Sequence, residues 1–240
     1  MNNLKPIYVN FKNVRIIRQK NNNLSVFNSI KDNNKDDFNK NINQKELKRI
    51  LEDLEISFEC FWKKCYQDDI FAKLASGRLS KNASRQCTKD EEEQIRTCNF
   101  ITQICGVNIK NLSSTAIRPT KNGNIISKKE MKEKNITKDC CLKSFDGRIT
   151  GKMDGYLSTK VSYGSGGHQD NVFEEMDELA YWWSKHKKDS CECLVLLIDT
   201  DLINKFECIR KKYDNYDNIK VFNHYEFQQY IISKYYNDSI

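Results

Sequence analysis

The residues best suited to chemistry in this chain are carboxylates and one lysine between positions 146 and 175. Asp146 and Lys160 lie on two strand-like segments, Phe145–Thr150 and Tyr156–Ser162, that a glycine-flanked turn joins. If the turn centres on Met153, Asp146 opposes Lys160 and both side chains share one face of the hairpin. Such a pair suits phosphodiester hydrolysis, in which carboxylates bind a divalent metal and a lysine places a cation near the attacking oxygen.

A helix predicted over about 170–186 supplies two further carboxylates, Glu174 and Glu175. On the helical wheel Glu175 borders the apolar face, whereas Glu174 points nearly opposite. That face consists of Val172, Met176, Leu179, Ala180 and Trp183. The wheel therefore favours Glu175 as a metal ligand. The plain alternative is that Asp146 and Lys160 form a surface ion pair and that both glutamates are solvated.

The elements that must position these residues form an alternating pattern. Thr88 is a candidate cap for a helix over 89–104, on which Glu91 lies at the edge of the core-facing side. A strand around Ser114–Arg118 and the hairpin follow. The remaining elements are helix 170–186, a buried strand at Cys193–Asp199, helix 201–212, a strand at Lys220–Phe222 and helix 224–235. This order predicts an α/β fold with a mixed central sheet flanked by helices.

The first 45 residues include 13 asparagines, a composition that predicts too little apolar area for firm order. We expect them to be weakly ordered apart from strand-like pieces at Ile7–Phe11 and Val14–Ile17. A helical pattern begins at Gln44. The predicted organisation is an Asn-rich extension with a helical segment over 1–75, followed by an α/β core over 76–240.

Charge is unevenly placed along the 240 residues, whose net charge is +7. Residues 105–160 carry 12 Lys and Arg against 5 Asp and Glu, and residues 161–201 carry 3 against 9. This arrangement suits a polyanion beside metal-binding carboxylates, or else solvated charged faces. The longest apolar run, Cys193–Ile198, is far below the roughly 20 residues that span a bilayer. With no signal segment at the N-terminus, we expect an intracellular, cytoplasmic protein without a membrane partner.

The order of elements resembles the core of the PD-(D/E)xK nuclease superfamily, and the whole chain resembles type II restriction endonucleases. Asp146 and Ser158-Thr159-Lys160 carry the resemblance. Ser158 stands where the family motif has an acid, and Phe145 where it has a proline. Some similar enzymes take the missing acid from the next helix, 12 or 13 residues beyond the lysine. Thirteen residues separate Lys160 from Glu174, so this spacing selects Glu174, the wheel selects Glu175, and both remain candidates.

The resemblance implies a restriction-endonuclease-like core and a Mg²⁺-dependent, site-specific deoxyribonuclease acting on double-stranded DNA. Asp146 with Glu175 or Glu174 would bind the metal, and Glu91 would assist beside it. Lys160 would position and polarise the attacking water, and the product would carry a 5′-phosphate. A palindromic target implies a homodimer, and a restriction system implies a companion DNA methyltransferase.

Several polar residues near these segments are candidate DNA contacts. Gln169 and Asn171 could bond base edges, and the others are basic residues in loops that adjoin the proposed site. These are Arg85, Arg118, Lys121 and Lys143. Each could equally be an ordinary solvated side chain, and Asp199, after a buried strand, is a further candidate metal ligand. A non-catalytic DNA-binding protein with a degraded site and a structure-selective repair nuclease are the alternative functions.

Overall fold

The computed structural model describes residues 4–83, 86–112, 116–163 and 168–236. The chain forms two compact units, one of residues 10–86 and one of residues 87–236 together with the N-terminal segment 4–9. We predicted a division after residue 75, and the structure divides the chain after Gln86. No helix within the described ranges is both long and apolar enough to cross a membrane.

The unit of residues 10–86 is built from helices. They are α1 (Phe11–Lys31), α2 (Lys35–Asn41), α3 (Gln44–Asp53), α4 (Phe58–Gln67) and α5 (Asp69–Leu79). Their core is aromatic and aliphatic, with Phe38, Phe61 and Leu79 fully or almost fully buried. The prediction of weak order and short strands in the first 45 residues is therefore wrong, because α1 and α2 occupy that region.

Asparagine side chains explain this difference. Asn10, Asn34 and Asn43 are the N-caps of α1, α2 and α3, and each accepts a hydrogen bond from a backbone N–H in the first turn. An asparagine N-cap stabilises a helix by about 1 kcal/mol relative to alanine. A high asparagine content predicts disorder, but asparagines at these particular positions stabilise the beginnings of helices.

The unit of residues 87–236 is an α/β unit. Its helices are α6 (Cys87–Thr102), α7 (Lys128–Glu133), α8 (His168–His186), α9 (Ile203–Tyr213) and α10 (His224–Tyr235). Its strands are β1 (Val107–Asn111), β2 (Ile117–Pro119), β3 (Ile125–Ser127), β4 (Gly147–Gly151), β5 (Gly155–Ser162), β6 (Cys193–Thr200) and β7 (Ile219–Phe222). The main sheet has the order β1-β4-β5-β6-β7. Its first three strands are antiparallel and its last three parallel, which confirms the predicted mixed sheet flanked by helices.

Helices cover both faces of this sheet. Alternate residues of β6 separate into two cores: Leu196 and its neighbours pack with α8 and α9, and Leu197 and its neighbours with α6 and α10. A strand buried on both faces reads as a continuous apolar run, which is the pattern of residues 193–198. The sheet is therefore the central layer against which the helices of both faces pack.

The hairpin of β4 and β5 has a different register from the predicted one. Gly147 pairs with Leu157 and Ile149 with Gly155, so the pairing is displaced by two residues from a turn centred on Met153. Because side chains alternate with a period of two, this displacement keeps every side chain on its predicted face. It places Asp146 beside Ser158 instead of opposite Lys160.

The segment before the hairpin also differs from the prediction. The edge strand of the main sheet is β1, which the sequence analysis does not identify, and it pairs with β4. The predicted strand at 114–118 lies partly outside the described residues. Its end, Ile117 and Arg118, belongs to β2, which forms a separate two-stranded sheet with β3. Strands as short as three and five residues leave little periodicity for a sequence pattern to show.

Gly151 provides a test of the β1–β4 edge. Its φ is 103°, and a Cβ at this position would lie 2.2 Å from the carbonyl oxygen of Gly106. We expect Gly151→Ala to lower the free energy of unfolding by roughly 2 kcal/mol or more, measured by urea denaturation. Thr150→Ala at the neighbouring exposed position is the control and should cost about 0.5 kcal/mol at most. Equal effects of the two substitutions would contradict this account.

Candidate active site

Lys160 is the centre of a group of charged side chains on β5. Its side chain is 13% exposed, and its Nζ lies 3.4 Å from Glu91 Oε1 and 3.5 Å from Glu175 Oε2. The two glutamates come from α6 and α8, which pack on opposite faces of the sheet. A lysine near the end of β5 is therefore reached from both layers of helices.

Asp146 lies beside Lys160. Its carboxylate is held by hydrogen bonds from β5, the strand that carries Lys160. The backbone N–H of Thr159 donates to Asp146 Oδ2 over 2.8 Å, and the Ser158 hydroxyl donates to the same oxygen over 3.3 Å. Among the residues that the structure describes, Asp146 Oδ1 accepts no hydrogen bond. Ser158, two residues before Lys160, thus orients Asp146 and leaves one carboxylate oxygen available for a ligand.

The structure distinguishes the two adjacent glutamates of α8. Glu175 Oε2 lies 3.1 Å from Lys143 Nζ as well as 3.5 Å from Lys160 Nζ. Glu174 is exposed and, within the described part of the chain, takes part in no ion pair. The helical wheel therefore selects the glutamate that meets Lys160, and the spacing rule selects its neighbour.

Lys143 is the residue whose place in the cluster the sequence analysis misses. We predicted a DNA contact in a loop, and the structure brings its Nζ to Glu175. Its position three residues before Asp146 is the signal that could have indicated it. Together these side chains form what we call the charged cluster: Glu91, Lys143, Asp146, Lys160 and Glu175.

The neighbouring carboxylates keep Lys160 cationic. Burial by itself lowers the pKa of Lys160, but Glu91, Glu175 and Asp146 outweigh it and hold the pKa above its ordinary value. The pKa of Lys143 is lowered, first by its burial and then by the repulsion of Lys160. Lys160 is therefore suited to act as a permanent positive charge at neutral pH.

The two glutamates of the cluster differ in acidity. Burial raises the pKa of Glu91, and Asp146 adds to the effect against the attraction of Lys160. Burial also acts on Glu175, but Lys143 and Lys160 outweigh it and lower the pKa. Glu91 consequently takes up a proton more readily than Glu175 as the pH falls.

The donors of the charged cluster suit a hard divalent cation. Three carboxylates stand against two ammonium groups, and all of the possible ligand atoms are oxygens. Mg²⁺ commonly binds through one or two protein carboxylates, with water and substrate phosphate completing its shell. In the described residues no three Asp, Glu, His or Cys side chains are grouped closely enough to hold a metal by themselves. Glu91, Asp146 and Glu175 thus offer oxygen donors of the right type, but they are not grouped as a metal site by themselves.

The remaining candidate DNA contacts are not members of the charged cluster or lie outside the described residues. Arg118 on β2 donates to the carbonyl oxygen of Leu142 over 3.2 Å. Lys121 is exposed in the turn after β2, and Asn171 is exposed on α8. Arg85 and the side chain of Gln169 lie outside the described residues.

Asp199, the further metal candidate, is part of a buried hydrogen-bond network. Its Oδ1 lies 2.7 Å from His224 Nδ1, and its Oδ2 accepts from the Gln94 side chain over 2.5 Å. His224 Nε2 in turn accepts from the backbone N–H of Val9 over 2.9 Å. Both oxygens of Asp199 are occupied, so it joins α6, α10 and the N-terminal segment and does not serve as a free ligand.

Comparison with known proteins leaves this geometry to be interpreted from its own chemistry. No family model, no curated protein and no solved structure matches the chain.

Removing Lys160 tests the electrostatic coupling without reference to function. In Lys160→Met we expect the pKa of Glu91 to rise further above its ordinary value, because burial and Asp146 then act with less opposition. Carbon-detected NMR titration of the glutamate carboxyls measures this change. Glu130, whose pKa is lowered by its hydrogen bonds with Ser127, is the internal control and should titrate as in the wild type.

The stability of the same variant should depend on pH in a defined direction. A carboxyl whose folded pKa exceeds its unfolded value favours the fold while it is protonated. The free energy of unfolding of Lys160→Met should therefore fall as the pH rises from 4.5, the ordinary value of Glu91, toward the raised pKa. An unchanged Glu91 titration would contradict the described pairing.

Proposed function

We propose that this protein is a Mg²⁺-dependent, sequence-specific double-strand DNA endonuclease of restriction type, with a restriction-endonuclease-like core. The observation that carries the proposal is the position of Lys160 between Glu91 and Glu175 and beside Asp146. One cation next to several carboxylates at the end of a sheet strand is an arrangement suited to phosphodiester hydrolysis.

Each side chain of the charged cluster has a role in this proposal. Asp146 and Glu175 hold the metal, and Glu91 assists from the side of α6. Mg²⁺, when bound, supplies Lewis acidity and lowers the pKa of coordinated water. Lys160 stays protonated, so it orients and polarises the attacking water as a cation. The water oxygen bonds to phosphorus, the bond from phosphorus to O3′ breaks, and a 5′-phosphate and a 3′-hydroxyl result.

The choice of Glu175 over Glu174 belongs to the same proposal. Both lysines of the cluster hold the carboxylate of Glu175 in its ionised form, which is the form that binds a metal. Glu174 meets neither lysine in the described residues. The deciding difference is the face of α8 on which each side chain lies.

Sequence recognition and assembly extend the proposal to partners. A restriction enzyme that cuts both strands of a palindrome acts as a homodimer, since two-fold symmetric DNA matches a two-fold protein. A companion DNA methyltransferase would protect the host sequence. Arg118, Lys121 and Asn171, together with Arg85 and Gln169, are the proposed DNA contacts beyond the cluster.

Binding of DNA without cleavage is the competing function. It is favoured by Ser158, because the acid expected two positions before the lysine is replaced by a hydroxyl that bonds Asp146. A structure-selective repair nuclease is a further candidate, which would cut at branches or ends instead of at fixed sequence positions. The dependence on metal and the pattern of fragments separate these functions.

Incubation of the protein with unmethylated duplex DNA of mixed sequence tests the nuclease proposal. We expect discrete fragments with Mg²⁺, no cleavage in EDTA, and a loss of at least about 100-fold in rate for Lys160→Met, because the cation beside the attacking water is removed. Gel electrophoresis resolves the fragments. Intact DNA that shifts in mobility would favour the binding protein, and Lys160→Met cutting at the wild-type rate would refute the assigned role.

The neighbouring glutamates offer a matched pair of variants. Glu175→Gln should reduce the cleavage rate by roughly 100-fold or more, because it removes a charged ligand. Glu174→Gln, at the adjacent position of the same helix, should stay within about threefold of the wild type. Single-turnover cleavage at saturating protein measures both rates. The reverse result would assign the metal to Glu174.

A further inference from the structure

A pocket lined mainly by lysine and arginine side chains lies in the segment between β1 and β4. Its volume is about 240 Å³, and no acidic residue contributes to its lining. We call it the basic pocket, and its lining residues are Arg118, Lys128, Met131, Lys132, Ile136 and Lys138. Four cationic side chains therefore surround one small volume together with two apolar ones.

Strand pairing and a helix cap hold the backbone around the basic pocket. β2 pairs with β3, and Ser127 then caps α7 by a reciprocal arrangement with Glu130. The Ser127 hydroxyl accepts from the Glu130 N–H over 3.2 Å, and the Glu130 carboxylate accepts from the Ser127 N–H over 2.7 Å. The short helix that carries two of the lysines is thus fixed at its start.

Three lysines of the basic pocket are not paired with an acid among the described residues. Lys128 and Lys132 lie four residues apart on α7, and like charges at that spacing repel each other. On the same helix Lys129 pairs with Glu133 at the same spacing, over 3.8 Å. In the described part of the chain Lys128, Lys132 and Lys138 form no ion pair. An external anion would relieve this repulsion.

Backbone hydrogen bonds connect the basic pocket to the charged cluster. Leu142 N–H donates to the carbonyl oxygen of Pro119 over 2.9 Å, and Phe145 N–H donates to that of Ile117 over 3.1 Å. β2, which carries Arg118, is therefore bonded to the segment that leads into Asp146. The basic pocket and Asp146 are thus joined through one hydrogen-bonded segment of backbone.

We propose that the basic pocket binds phosphate groups of the duplex DNA backbone outside the phosphodiester that is cut. The inference rests on the proposed function for its choice of DNA as the anion. Arg118 offers a planar guanidinium and the lysines offer point charges, both of which bind phosphate oxygens. Met131 and Ile136 provide apolar contact for sugar carbons. Phosphate contacts fix the position of the duplex without reading its sequence.

Two double variants of α7 test this site at equal net charge. Lys128→Gln with Lys132→Gln removes two charges from the basic pocket. Lys129→Gln with Lys134→Gln removes two charges outside the pocket, one from the same helix and one from its C-cap. Glutamine keeps the helix propensity of lysine. Binding of a fluorescent duplex of mixed sequence is measured by anisotropy in EDTA, over a range of salt concentrations, so that no cleavage occurs.

We expect the pocket variant to bind every duplex roughly tenfold more weakly and to lose about 2 from the slope of log affinity against log salt. The control variant should match the wild type. Equal weakening of both variants, or of neither, overturns the inference. So does a loss of binding to phosphatidylserine vesicles with unchanged DNA binding, which would assign the pocket to a membrane surface.

Cleavage in Mg²⁺ is measured separately to distinguish the two proposals. A wild-type protein that binds duplex but cuts nothing, with the expected difference between variants, supports the basic pocket and refutes the nuclease. A wild-type protein that cuts DNA while both variants bind normally supports the nuclease and refutes the pocket.

Discussion

The burial of one ammonium group among carboxylates is the interaction on which this structure depends. A lysine that is 13% exposed loses most of its hydration, and only nearby negative charge offsets that cost. Here the charge comes from α6, α8 and the start of β4, so three separate elements must meet at one point of β5. Sheet pairing and the two helical layers are what keep them there, and a shift of any one element would leave a buried charge uncompensated.

This arrangement also explains the unusual position of Ser158. Ser158 lies two residues before Lys160 on β5 and carries no charge of its own. The hydroxyl instead donates a hydrogen bond to Asp146, and α8 supplies the second carboxylate from the opposite side. Lys143 then holds that carboxylate in its ionised form. The cluster therefore holds three carboxylates against two ammonium groups, with an uncharged side chain at position 158.

Binding and chemistry are separated in the proposed scheme. The charged cluster contains both signs of charge in close contact, whereas the basic pocket contains one sign and has no balancing acid in its lining. Close opposite charges suit a reaction at one phosphate, and unbalanced positive charge suits holding a long anion in place. The bonded segment from Pro119 to Asp146 joins the two within one continuous part of the unit, so that in this scheme a duplex held at the pocket would also be positioned for attack.

The sequence by itself determined the elements with strong periodicity: the mixed sheet flanked by helices, the buried run of β6, and the face of α8 on which Glu175 lies. These follow from local patterns of apolar residues, which act over a few turns or strands. Hairpin register, the edge strand β1 and the meeting of Lys143 with Glu175 were decided only by the tertiary structure. Register and contacts between distant segments depend on how whole faces pack, and a shift of two residues leaves the local pattern unchanged. The helical order of the first unit likewise depended on the positions of its asparagines as caps, which composition does not reveal.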